Sequence, residues 1–140
     1  MTTEIALTVR NDVAELVRLN TCLEQFWKEN RLPEEIAGDV ALALEEVFLN
    51  VVLHGFTDNA EHAIVVRLAV EKGFMTLTVE DDGIPFNPLD APPPDIESPL
   101  EERGIGGLGI HLVRQVMDRI EYVREGNINR LAMTKRIGVT

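Results

Sequence analysis

Residues 45–55 read Glu45-Glu46-Val47-Phe48-Leu49-Asn50-Val51-Val52-Leu53-His54-Gly55, and residues 79–83 read Val79-Glu80-Asp81-Asp82-Gly83. The first stretch has helical spacing. Glu46, Asn50 and His54 recur every fourth residue, so they line one side of a helix, with Glu46 and Asn50 about 6 Å apart along its axis. Ile36, Val40, Leu44, Val47 and Val51 form an apolar stripe, and Leu42, Leu49 and Val52 make another face apolar too. A helix that is apolar nearly all round is expected to be buried. Its start is marked by Pro33-Glu34-Glu35, where proline presets the backbone angle and two acids meet the positive helix end. Gly55 is expected to close it in the left-handed conformation.

The second stretch ends a strand. Residues 63–71 and 74–81 alternate as a pair of strands joined by Lys72-Gly73. Met75, Leu77 and Val79 face one way, and the period of two puts Asp81 on that apolar side. Upstream, Ile5, Leu7 and Val9 alternate with polar residues, which predicts a half-buried strand over 4–10. Asp12 and Glu15 have capping-box spacing. Val13, Leu16, Val17, Leu23, Phe26 and Trp27 then follow at helical spacing to about residue 30.

Residues 84–103 break the pattern, and six of the seven prolines fall between Pro85 and Pro99. A loop of that length is functional or a passive connector. Its position between two motifs suits a lid, at about 87–103. Gly104-Ile105-Gly106-Gly107-Leu108-Gly109 follows, opening a helix expected over 106–117. Residues 119–124 and 128–137 read as a last hairpin around Gly126, with Asn129, Leu131, Met133 and Lys135 on one face. The order β-α-α-β-β-loop-α-β-β predicts one α+β domain over 1–140. It is a two-layer α/β sandwich, a mixed, mostly antiparallel sheet covered by helices on one face.

Composition narrows the function. The chain carries 24 acidic against 13 basic residues, a formal charge of −11. Direct nucleic-acid binding needs basic surface to displace counterions and is not expected. An anionic ligand would have to be held locally by backbone amides and a cation. The single cysteine, Cys22, excludes an intramolecular disulfide and a cysteine metal site. No apolar run approaches a membrane span and no signal pattern opens the chain, so a cytoplasmic setting without membrane association is expected.

The polar residues within apolar surroundings suggest chemistry. A carboxylate and an amide on a buried helix are costly unless paired. Bound Mg2+ and a hydroxyl nucleophile would satisfy them, Asn50 as a hard oxygen ligand and Glu46 as the proton acceptor. A solvated or internally paired polar stripe satisfies them equally well. Glu45 lies about a hundred degrees round the helix and is the rival base. Asp81 facing an apolar gap calls for a donor such as the exocyclic amine of adenine, with Gly83 allowing a flat ring close approach. A strand end running into an Asp82-Gly83 turn is the plainer reading. The glycine run suits phosphate on free helix amides, and Arg103 could clamp a phosphate or be surface charge. The run is neither a dinucleotide fingerprint nor a P-loop, since no strand feeds it and no Gly-Lys-Ser/Thr follows. His62 and His111 read as structural or exposed, and the methionines as core filler. No Ser-His-Asp or zinc spacing stands out.

Taken in order, Glu46-x-x-x-Asn50-x-x-x-His54-Gly55, then Val79 to Phe86, then Gly104 to Gly109 resemble the GHKL, or Bergerat-fold, ATPases. The compact length, the short lid and the closing Asn129-x-Leu131-x-Met133-x-Lys135 are similar to the bacterial anti-sigma-factor serine/threonine kinases of partner-switching systems. The likeness spans nearly the whole chain. It implies the histidine-kinase-like ATPase fold with a left-handed βαβ ATP pocket. It implies Glu46 as catalytic base, Asn50 as Mg2+ ligand and Asp81 with Gly83 at adenine. Gly104, Gly106, Gly107, Leu108 and Gly109 would lie at the phosphates with Arg103 from the lid. It implies a serine or threonine on a STAS-domain anti-anti-sigma factor as target, a sigma factor as sequestered partner, and a homodimer. One departure is Asn129, which stands where relatives often carry a threonine on the adenine side and could hold the same bridging water. The alternative function is a catalytically weak nucleotide-sensing module that controls a partner. A sensor histidine kinase ranks lower, because one domain fills the 140 residues and leaves no place for a phospho-accepting helical hairpin.

Overall fold

The computed structural model describes residues 3–90 and 107–138. Five strands form one sheet: β1 Thr3–Arg10, β2 Ala63–Glu71, β3 Phe74–Asp81, β4 Arg119–Glu125 and β5 Ile128–Arg136. Three α-helices accompany them: α1 Leu16–Glu29, α2 Ala37–His54 and α3 Gly107–Val116. The spatial order is β1-β2-β3-β5-β4. Every neighbouring pair is antiparallel. The mixed character expected from the sequence survives only between non-neighbours. β3 and β4, linked through α3, run the same way with β5 inserted between them.

The β2–β3 hairpin matches the sequence pattern residue for residue. Lys72 and Gly73 both take positive φ, 48° and 83°, the conformation that suits a two-residue turn to the twist of its strands. Met75, Leu77, Val79 and Asp81 are all buried on the helix-facing side. In β5, Asn129, Leu131 and Met133 are buried in the same alternation. The helices lie on this face, and α2 supplies Val40, Ala43, Leu44, Val47 and Phe48 to the core. α1 contributes Leu19, Leu23, Phe26 and Trp27, and the Trp27 indole donates to the Pro33 carbonyl at 2.9 Å. Lys135 ties two helices together: its ammonium donates to the Val116 carbonyl at the end of α3 and pairs with Asp39 of α2 at 3.2 Å.

Several local expectations give way to tertiary contacts. Gly55 stays right-handed, at φ −80° and ψ −16°. Its N–H reaches the Val51 carbonyl and its own carbonyl accepts from the Ile84 N–H at 2.8 Å, so the chain leaves the helix without a left-handed step. Asp12 does cap, accepting from the Ala14 N–H at 2.9 Å. Glu15 does not complete the box. It is buried and accepts instead from the Arg10 N–H and the Arg18 guanidinium, each at 2.9 Å. The backbone hydrogen bond from Arg10, helped by Arg18, holds its carboxyl below the usual range against the opposing effect of burial. Val17 is 72% exposed, so the α1 stripe is narrower than the sequence spacing suggests. Nor is α2 buried all round. Leu42, Leu49 and Val52 are half-buried and Leu53 is exposed, because only one side of the helix meets the sheet.

Candidate functional site

The ends of α2 and β3 meet, and the fold opens a pocket there. Its walls are Val47, Asn50, Val51, His54 and Gly55 from α2 and its cap, and Val79, Asp81, Ile84, Phe86 and Pro88 from β3 and the segment beyond. Ile110 of α3 closes a third side, and Tyr122, Asn129 and Leu131 of the last hairpin close the fourth. The cavity itself is small, about 40 Å³, well below the usual size of a small-ligand site. Most of the lining is apolar, and the polar groups are few.

At one end stands Asp81, 7% exposed. Its Oδ1 accepts from the Gly83 N–H at 2.8 Å and from Asn129 Nδ2 at 3.1 Å. Asn129 Nδ2 also donates to the Ile84 carbonyl at 2.8 Å, and Asn129 Oδ1 accepts from the Tyr122 hydroxyl. Arg124 donates to the Gly83 carbonyl at 2.8 Å. The turn after β3 is thus gripped from β4, from β5 and from Gly55. Gly83 is glycine for a reason visible here: an added methyl would overlap the Gly55 carbonyl oxygen and lie 2.8 Å from Asp81 Oδ1. That direction is filled by protein, so it is backbone packing that fixes this glycine.

Nearby, His62 stacks on Phe56 with ring centroids 4.3 Å apart. Its Nε2 lies 2.7 Å from Asp58 and its Nδ1 3.0 Å from Asp82. The hydrogen bond to Asp58, with further help from Asp82, raises the His62 pKa above 6.5 against partial burial. The structural reading of this histidine is therefore specific: it straps the loop after α2 to the end of β3.

Outside the pocket lining, one turn before Asn50 on α2, lies Glu46, half-buried. A methyl on Gly109 would overlap Glu46 Oε2. The absence of a side chain at Gly109 therefore lets the carboxylate sit against the first turn of α3. The amides of a helix's first turn have no partner within the helix, and they carry the positive end of its dipole. Neither glutamate lines a wall of this pocket, and Glu45, the rival base, is exposed. His54 borders the pocket mouth and is exposed.

The structure therefore brings Asn50, Asp81 and Asn129 onto one pocket, with Glu46 on the same helix edge and Gly109 against it. Gly107 and Leu108 lie in the first turn of α3. Arg103, Gly104 and Gly106 fall outside the described residues, as does most of the proposed lid. Of that lid, Pro88–Asp90 forms a short 3-10 turn, and Arg114 of α3 donates to the Leu89 carbonyl. Sequence reasoning missed Tyr122 and Arg124. Their signal was available: Ile120, Tyr122 and Arg124 alternate on the strand paired with β5.

A five-stranded antiparallel sheet with helices on one face, and a pocket between α2, β3 and α3, define the class. The chain matches the histidine kinase-like ATPase domain over residues 9–135 and belongs to that family. It is 28% identical over 112 residues to the serine/threonine-protein kinase BtrW of Bordetella bronchiseptica, covering 80% of this chain and 79% of that one. It is 25% identical over 85 residues to an anti-sigma F factor of Bacillus thuringiensis, covering 61% of this chain and 58% of that one. Among solved structures it resembles the RsbU and RsbW domains of a Mycobacterium tuberculosis protein, with a TM-score of 0.71 at 15% identity. That match takes in 96% of this chain but 32% of the other. It also resembles the histidine kinase AdeS of Acinetobacter baumannii, with a TM-score of 0.51 at 14% identity, over 94% of this chain and 68% of that one. These two likenesses are of fold.

Proposed function

We propose that this chain is an ATP-dependent protein serine/threonine kinase that acts as an anti-sigma regulatory factor, phosphorylating a STAS-domain anti-anti-sigma factor and sequestering a sigma factor. The observation that carries the reading is the seat of Glu46. An acid that could have been a solvated surface residue lies instead against Gly109 in the first turn of α3, on the helix edge that also presents Asn50 to the pocket. The names of the kinase and anti-sigma relatives support the same direction.

In this reading Asp81 accepts a hydrogen bond from the adenine amine, and the apolar walls cover the ring. The amides of Gly107, Leu108 and Gly109 face the phosphates, with Gly104, Gly106 and Arg103 completing their cover. Glu46 takes the proton from the target hydroxyl as its oxygen bonds the terminal phosphorus and the bond to ADP breaks. The donor set fits Mg2+, since Asn50 offers a hard side-chain oxygen at the pocket wall beside an acid, and this ion needs few protein ligands when phosphates supply the rest. Bound there, Mg2+ would neutralise charge on the phosphates. Homodimerisation and a cytoplasmic setting belong to the same proposal. Among the described residues no helix is long and apolar enough to cross a membrane.

The test is incubation of the protein with Mg-ATP and its cognate STAS partner, alongside Glu46→Ala. Phosphate on a partner serine or threonine with the wild type, and none with the variant, is expected. Equal silence from both proteins, with ATP bound, would leave the nucleotide-sensing module as the function.

A further inference from the structure

Asn129 does not stand free to hold a water against a purine. Its amide nitrogen is committed to Asp81 Oδ1 at 3.1 Å and to the Ile84 carbonyl at 2.8 Å. Its amide oxygen accepts from the Tyr122 hydroxyl. The orientation of the amide follows from chemistry: the reverse would turn its oxygen toward a carboxylate and a carbonyl, and its NH2 toward a hydroxyl. With the Gly83 N–H at 2.8 Å as a second donor, Asp81 Oδ1 is engaged twice. No described residue donates to Oδ2, and Asp81 lines the pocket.

We infer that Asn129 and Tyr122 are positioning residues that present Asp81 to the pocket as a single hydrogen-bond acceptor, and so set the preference for a purine carrying an amine over one carrying a carbonyl. The inference rests on the reading of Asp81 as the base-recognising carboxylate. Two donors on Oδ1 hold the carboxylate plane. What remains toward the ligand is Oδ2, which can only accept. A 6-amino purine offers a donor there. A 6-oxo purine brings a second acceptor, and the two oxygens would be buried face to face without a proton between them. Tyr122 acts one step further back. Its hydroxyl satisfies the amide oxygen of Asn129, which would otherwise be a second acceptor beside the ligand. It also restrains the amide from rotating off Asp81.

The consequence is read by titrating ATP and inosine triphosphate, which share ribose and phosphates, into the wild type, Asn129→Ala, Tyr122→Phe and the double variant. The wild type is expected to favour ATP. Asn129→Ala should weaken ATP about tenfold, the order of one charge-assisted hydrogen bond, while inosine triphosphate binding stays within about twofold. Tyr122→Phe should move the ratio the same way by about threefold. In the Asn129→Ala background it should move the ratio no further, because the relay is already cut. A merely structural role would weaken both nucleotides equally, and that result overturns the inference. So does an unchanged ratio in Asn129→Ala, or a Tyr122 effect that adds in full to the double variant. Asp81→Asn, run in the same series, separates the layers. If it loses ATP while the relay variants keep their discrimination, the relay alone is wrong; if it binds ATP like the wild type, the base-recognising role of Asp81 has failed.

Discussion

The Asp81 end of the pocket and the Glu46 end of the neighbouring α2 edge are fixed by different means. At the Asp81 end every element is pinned by a directional bond: Gly83, Asn129, Arg124 and the Gly55 carbonyl each hold a defined atom. At the Glu46 end the placement depends on a missing side chain, since the carboxylate occupies the space a methyl on Gly109 would fill. The lesson is that backbone and polar network build the recognition end, whereas a single flexible side chain under a glycine builds the reactive end. Change at the first should therefore be felt in affinity, and in folding where backbone is displaced. Change at the second should be felt in turnover.

The largest effect that would sharpen this contrast is Glu46→Ala. Phosphate transfer should fall by about 10²–10⁴-fold, the usual worth of a positioned general base, while ATP affinity measured by calorimetry holds. A parallel loss of affinity would erase the distinction between the ends. Asp81→Asn should do the opposite, weakening ATP by roughly 1.5–3 kcal/mol with little change in thermal unfolding. Unchanged affinity would remove Asp81 from the recognition end.

The two glycines give a matched pair. Gly83→Ala drives a methyl into the Gly55 backbone carbonyl, which cannot swing away. A loss of about 1–3 kcal/mol of stability is expected by denaturant unfolding. Gly109→Ala meets only the end of a flexible acid. Alanine is also the better helix former, though by less in a first turn than in a helix middle. Stability should hold or rise while transfer falls about tenfold as the carboxylate moves aside. If both alanines unfold the protein alike, the two ends are not held differently.

The smallest effect concerns the strap. The His62 pKa is raised above 6.5 by Asp58 and Asp82. A raised folded-state value means that the imidazolium contributes its full stability below 6.5, and that this is lost as pH rises through the higher native value. The thermal advantage of wild type over His62→Gln should shrink across that window, and a constant difference would show the strap to be neutral there.

Much of this layout was legible in the chain. The alternation through Met75, Leu77 and Val79 carried Asp81 inward with no further information, because a strand has one period and no freedom to drift. The four-residue spacing of Glu46 and Asn50 put them on one helix edge for the same reason. What was not legible depends on partners distant in sequence. Glu15 reads as half of a capping box until Arg10 and Arg18 take its oxygens. Gly55 reads as a left-handed cap until Ile84 arrives to take its carbonyl. Tyr122 matters only because pairing of β4 with β5 sets it diagonal to Asn129. Local pattern tells which way a side chain points, and only the assembled sheet tells what it meets.

The most direct measurement follows backbone amide shifts while ATP, adenosine and inorganic triphosphate are titrated in turn. If one nucleotide spans the pocket, ATP moves the amides of Gly83 and Gly109 together, adenosine moves Gly83 alone, and triphosphate moves the first turn of α3 alone. Should ATP perturb only one of these glycines, or neither, the two ends do not hold a common ligand.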